Sequence, residues 1–182
     1  MKNKPVVYKS VQILVFSALL IALDVIFTRF LRWEVFPYDR YSLQFLSHGL
    51  SGVLFGPIIA AINCVAGDLV GMLVNGGGQS LYLPVTAVCA LRGVIYGLLL
   101  HRRKLPIWRV LVAVATVTVV CDLTLNSFIM SGFYGLPANE IFWSKLPFRL
   151  ASIVLYTVVL WYVWNRLEAT GMFKRIFPTF HR

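Results

Sequence analysis

The sequence predicts an all-α membrane protein, folded as one bundle of six transmembrane helices with both termini in the cytoplasm. Hydrophobic residues occupy 59% of the 182 positions and charged residues only 13%, whereas a soluble domain is usually about half apolar and about a quarter charged. The apolar residues form continuous runs, which excludes an alternating outer-membrane β-barrel and a disordered chain. One compact bundle uses the whole length, so residues 1–182 are expected to form a single integral membrane domain.

Each apolar run is bounded by a polar loop or by helix breakers, and these boundaries mark the predicted spans. The first run follows a lysine-rich start, but it is too long for a signal peptide and lacks a cleavage site of small residues. Gly56-Pro57 separates the second run from the third, because proline cannot continue a helix. The predicted spans cover about residues 11–31, 42–55, 58–74, 82–100, 107–130 and 146–167.

The distribution of Lys and Arg predicts the orientation in the membrane. With six spans, the N-terminal lysines, the basic loop around residues 102–109 and the basic C-terminal tail lie on one side. That side holds most of the 17 Lys and Arg residues, so it is cytoplasmic by the positive-inside rule. The net charge of +10 follows from this pattern, and no nucleic-acid partner is expected.

Polar residues within the spans concentrate in the half of the bilayer that faces outside. At about 1.5 Å per residue along a helix, the outer halves contain Asp24, Arg29, His48, Asp122, Asn126, Lys145 and Arg149. Ionisable groups in a bilayer normally face a cavity or each other, so these residues predict a polar pocket that opens to the outside. The alternative is that they pair within the bundle and hold the helices together.

The outer face also carries more arginine than the positive-inside trend predicts. Arg29, Arg32 and Arg149 lie there, and guanidinium groups bind carboxylates in a two-pronged way. This surplus indicates an anionic ligand. Aromatic residues such as Phe30 and Tyr134 lie nearby. They could stack on a flat heterocycle or simply form an interfacial aromatic belt.

Two further pairs in the spans have defined spacings. Asp68 and Arg92 agree in depth within about one helical turn, which favours a buried mutual ion pair and leaves ligand contact by Arg92 as the alternative. Ala18 and Ala22 form a small-xxx-small pair on the first span. Such pairs let helices approach closely, and the spacing fits internal packing and docking of another protein equally well.

Motifs of enzymes and cofactor-binding proteins are missing from the sequence. The chain has no phosphate-binding glycine loop ending in Lys-Ser/Thr and no His-Glu-x-x-His zinc motif. Its three cysteines lack metal-ligand spacing, and its three histidines are far apart. We therefore expect no enzymatic activity, no cofactor and no metal.

The order of motifs resembles the substrate-binding S components of energy-coupling factor (ECF) vitamin transporters, and within them the folate family. The resemblance covers most of the chain. It is carried by Ala18-Leu-Leu-Ile-Ala22 with Thr28-Arg29-Phe30, Leu50-Ser-Gly-Val-Leu-Phe-Gly-Pro57, Ala66-Gly-Asp68-Leu-Val-Gly71, Ala90-Leu-Arg92-Gly-Val-Ile-Tyr-Gly97 and a weaker stretch from Leu125 to Arg149.

The resemblance implies a subunit of the bacterial cytoplasmic membrane that captures folate at the outer face and releases it inside. S components dock on one transmembrane coupling protein and two ATPases, through a surface that includes the small-residue motif, here Ala18 and Ala22. Substrate binding is predicted for Arg29, Phe30, Arg32, Gln79, Tyr82, Thr86, Asn126, Tyr134 and Arg149. The alternatives are another vitamin such as pantothenate, a structural membrane protein of the cell-shape (MreD) type, and, least favoured, an intramembrane enzyme.

Overall fold

The protein is a helical bundle with one short β-hairpin. The computed structural model describes residues 6–36, 39–75, 83–101 and 105–170. Its elements are α1 (Val6–Arg29), β1 (Arg32–Phe36), β2 (Asp39–Ser42), α2 (Gln44–Phe55), α3 (Pro57–Asn75), α4 (Leu83–Leu100), α5 (Ile107–Val117), a π-helical segment (Thr118–Leu125), α6 (Asn126–Tyr134) and α7 (Ala138–Ala169). The π-helical segment joins α5 and α6 into one continuous rod, so six helical rods are present in the described part of the chain.

Five of these rods are long and apolar enough to cross a membrane: Val11–Arg29, Pro57–Val74, Leu83–Leu100, Ile107–Phe133 and Ala138–Ala169. The prediction of an all-α membrane protein is therefore confirmed. The remaining rod, α2, has 12 residues. It is shorter than the roughly 20 residues that a transmembrane helix needs. The number of crossings and the side of the termini stay predictions.

The short helix α2 lies at the centre of the bundle. It packs against α1, α3, α4 and α7, and most of its side chains are buried. A helix with four neighbouring helices and mostly buried side chains needs no long lipid-facing surface. This position explains how a short rod can remain folded inside the bundle.

Two connections differ from the sequence prediction. The helix predicted to end near residue 130 continues to Tyr134, and α7 begins at Ala138, so the long loop expected between them is a three-residue turn. Gly135 adopts the left-handed conformation (φ 68°) that commonly ends a helix. In the other connection, between the first and second predicted spans, β1 and β2 pair as an antiparallel hairpin, which the sequence did not predict. We refer to the end of the bundle that carries this hairpin as the hairpin end.

Glycines of the recognised motifs allow α4 to pack directly on the corner between α2 and α3. A Cβ atom on Gly97 would lie 2.3 Å from Cα of Pro57, and one on Gly93 would lie 2.7 Å from the carbonyl of Ala60. A Cβ on Gly52 would lie 2.7 Å from Cβ of Tyr96. Real Cβ atoms do not approach so closely, so these motif positions are explained by packing.

Gly97→Ala is therefore expected to lower the free energy of unfolding by about 1–3 kcal/mol, since the new methyl group would push α3 away from α4. Thermal unfolding of the purified protein in detergent measures this loss. Gly132→Ala is the matched control, because a Cβ there meets no atom within 4 Å and alanine favours a helix over glycine. Equal stability of the two variants would contradict the packing argument.

Candidate functional site

Two arginines from different helices share one aspartate inside the bundle. The Nη2 group of Arg92, on α4, donates a hydrogen bond to Oδ1 of Asp122 in the π-helical segment. The Nη1 group of Arg149, on α7, donates to Oδ2 of the same carboxylate at 3.1 Å. All three side chains are largely buried, with 12%, 10% and 6% exposure for Arg92, Asp122 and Arg149. We call these three residues the arginine cluster.

The arginine cluster lies towards the hairpin end. The guanidinium carbon of Arg149 is 4.5 Å from the ring centroid of Tyr41 on β2, a distance at which a cation is attracted to the ring face. Lys145 is fully buried one helical turn before Arg149 on α7, so both cationic side chains lie on the same face of that helix. The region therefore combines three cationic side chains with the carboxylate of Asp122.

Asp122 belongs to the π-helical segment, and Ser127 follows it by five residues in the first turn of α6. Both are buried. The hydroxyl of Ser127 has no hydrogen-bond partner among the described residues. Single π-helical turns occur frequently at functional sites.

The predicted ion pair between Asp68 and Arg92 is not the one that forms. Oδ2 of Asp68 accepts a hydrogen bond from the hydroxyl of Thr86 at 2.8 Å, and Arg92 binds Asp122 instead. Thr86 and Arg92 are both on α4, but they face different neighbours. Agreement in depth was insufficient, because depth does not specify the direction in which a side chain leaves its helix.

The other predicted substrate-binding residues that the structure describes come from several elements of the bundle. Arg29 is half-buried, and its Nε lies 2.8 Å from the place that a Cβ on Gly71 would occupy. Phe30 is 67% exposed, and Asn126 is half-buried. The remaining ones are placed only by their backbone or not at all: Arg32 begins β1, Tyr134 ends α6, and Gln79 and Tyr82 lie outside the described residues. Their roles in binding stay predictions.

A second set of polar residues connects α1 with α2 and α3 through side-chain contacts. Oδ1 of Asp24 lies 3.3 Å from Nε2 of His48, and both side chains are 3% exposed. Nearby, the amide of Asn63 donates to the hydroxyls of Ser17 and Ser51. The contact between Asp24 and His48 agrees with the alternative interpretation, in which polar residues pair within the bundle.

Asp122 is the functional candidate that the sequence interpretation missed. It was recognised as a polar residue in the outer half, but not as a member of the binding site. Only the contacts with both arginines identify it.

The small-residue pair on α1 faces away from the bundle. Ala18 and Ala22 are both exposed, as are Leu14, Leu19 and Ile26 on the same helix. This exposure argues against the interpretation that the pair packs inside the bundle. It leaves a strip of exposed apolar side chains along this face of α1.

Comparison with known proteins agrees with this architecture. A family model described as the S component of ECF-type riboflavin transporters matches residues 8–169. The folate transporter FolT of Clostridium novyi (strain NT) is 28% identical over 169 residues, which cover 92% of this chain and 96% of the relative. A crystal structure of FolT bound with folic acid matches with a TM-score of 0.77 at 28% identity, covering 84% of this chain and 92% of that chain. The predicted resemblance to S components is thus confirmed, and the chain belongs to the family of ECF-type riboflavin transporter S components.

Proposed function

We propose that this S component binds folate at the hairpin end, which faces outside the cell, and delivers it to the cytoplasm. The observation that carries the proposal is the arginine cluster. Guanidinium groups suit ligands with carboxylates, and folate carries carboxylates whereas riboflavin carries none. The relatives named for folate, which match nearly the full length, support the same choice.

The ligand can be identified directly from the purified protein. We expect that denaturing the protein releases folate, detected by mass spectrometry. Calorimetric titrations with folate, riboflavin and pantothenate then test specificity, since pantothenate has a carboxylate but no flat heterocycle. Tight binding of riboflavin, with no binding of folate, would contradict the proposal and favour the vitamin in the description of the family.

Transport also requires partners in the proposed mechanism. We infer that the protein resides in the bacterial cytoplasmic membrane with six crossings and both termini inside. There it docks on an ECF coupling protein with two ATPases. The exposed strip of α1 around Ala18 and Ala22 supports a docking surface, because small residues permit close approach of a partner helix.

Arg29 is expected to contribute to ligand binding from the end of α1. Arg29→Ala should weaken folate binding at least tenfold, equivalent to about 1.4 kcal/mol, because one charge-assisted contact is lost. Isothermal titration calorimetry measures the change. Arg166→Ala serves as control, since Arg166 is exposed near the opposite end of the bundle. Unchanged affinity in a folded Arg29 variant would remove this residue from the site.

A further inference from the structure

We propose that Asp122 is a positioning residue, which holds Arg92 and Arg149 in the orientation that receives an anionic group of the ligand. This role rests on the proposed folate-binding function and adds a residue to it. Each oxygen of the Asp122 carboxylate accepts a hydrogen bond from a different arginine. The two guanidinium groups, which come from α4 and α7, are therefore fixed relative to each other by one side chain.

Arg92 keeps a donor for a further acceptor. A guanidinium has five N–H groups, and only Nη2 of Arg92 bonds to Asp122. Its Nε is buried and has no hydrogen-bond partner within the described part of the chain. Buried donors are almost always satisfied, so a ligand atom that accepts this hydrogen bond would complete the site.

The neighbouring residues further limit the side-chain conformations of Arg92 and Arg149. The ring of Tyr41 covers one side of the Arg149 guanidinium. Asp122 is itself buried within the π-helical segment. Side chains that are already ordered lose less entropy when a ligand binds. Asp122 thus increases affinity for an anion although it carries a negative charge itself.

The direction in which the affinity changes when this carboxylate is removed distinguishes a positioning role from a purely electrostatic one. If only net charge mattered, removing a carboxylate beside two arginines would strengthen the binding of an anion. If Asp122 positions the arginines, the same change weakens binding. In Asp122→Asn the amide nitrogen faces one of the guanidiniums, so one of the two hydrogen bonds is lost while the volume is kept.

The test is a calorimetric titration of the full-length protein in detergent with folic acid. We expect Asp122→Asn to raise Kd at least tenfold with unchanged binding stoichiometry. Asp122→Glu, which keeps the charge but moves the carboxylate, should also raise Kd, and it carries the test if the first variant does not fold. Glu140→Gln is the charge control, because Glu140 is exposed in the first turn of α7, and it should bind like the wild type.

Three results would overturn the role of Asp122. These are an unchanged Kd, a lower Kd for Asp122→Asn, or a wild-type Kd with reduced stoichiometry, which would indicate a structural role alone. Failure of the wild-type protein to bind folic acid would overturn the proposed function, and the role of Asp122 with it. Wild-type binding with unaffected variants would overturn only the positioning role.

Discussion

Replacing Ala18 and Ala22 together by Trp is expected to abolish folate uptake by cells while the purified protein still binds folate. The two alanines lie one turn apart on the exposed face of α1. Large side chains there would hold a partner helix away from this face. The arginine cluster is built from α4, the π-helical segment and α7, and Arg29 lies about two turns beyond Ala22 at the end of α1. The substitution should therefore leave the proposed ligand contacts in place.

A matched pair on another helix controls for the size of the new side chains. Val154 and Val158 on α7 have the same spacing and are 62% and 50% exposed, so Val154→Trp with Val158→Trp should leave uptake intact. Uptake is measured with labelled folate in cells that contain the ECF module, and binding with the purified variants. Loss of binding together with uptake would show that the α1 face is needed for folding, and full uptake would refute docking at this face.

The fold was largely predictable because its signals are long and local. Apolar runs of transmembrane length indicated five of the six rods, and Gly56-Pro57 marked the corner between α2 and α3. The hairpin was missed because its strands have only five and four residues. Runs of this length are too short for a reliable alternating pattern.

The site was predictable in composition but not in its pairings. The sequence indicated that cationic groups collect near one end, and the structure places Lys145 and Arg149 there with Arg92. The partner of Arg92 could not be deduced, since it depends on the rotation of each helix about its axis. The π-helical segment Thr118–Leu125 also changes the winding of the helix around Asp122, and no sequence pattern predicted it.

Removing either member of the Asp24–His48 pair is expected to lower the free energy of unfolding by about 3–5 kcal/mol, because the remaining ionisable group stays buried without its partner. The pair is enclosed by three helices. A Cβ on Gly67 of α3 would lie 2.3 Å from Oδ2 of Asp24, so a larger residue at position 67 would displace the carboxylate. Cys64, also on α3, is buried close to His48.

A double-mutant cycle separates the pair from its surroundings. Asp24→Asn and His48→Gln are each expected to lose stability, and the double variant should recover part of the summed loss because no lone charge remains. Unfolding in detergent gives the free energies of unfolding, with Glu168→Gln as control, since Glu168 is exposed.

Asp24 lies two residues after Ala22, or about 200° around α1, so it attaches this helix to the bundle from the face opposite the proposed docking surface. Strictly additive losses would show that Asp24 and His48 stabilise the protein independently and that α1 is held by its apolar contacts.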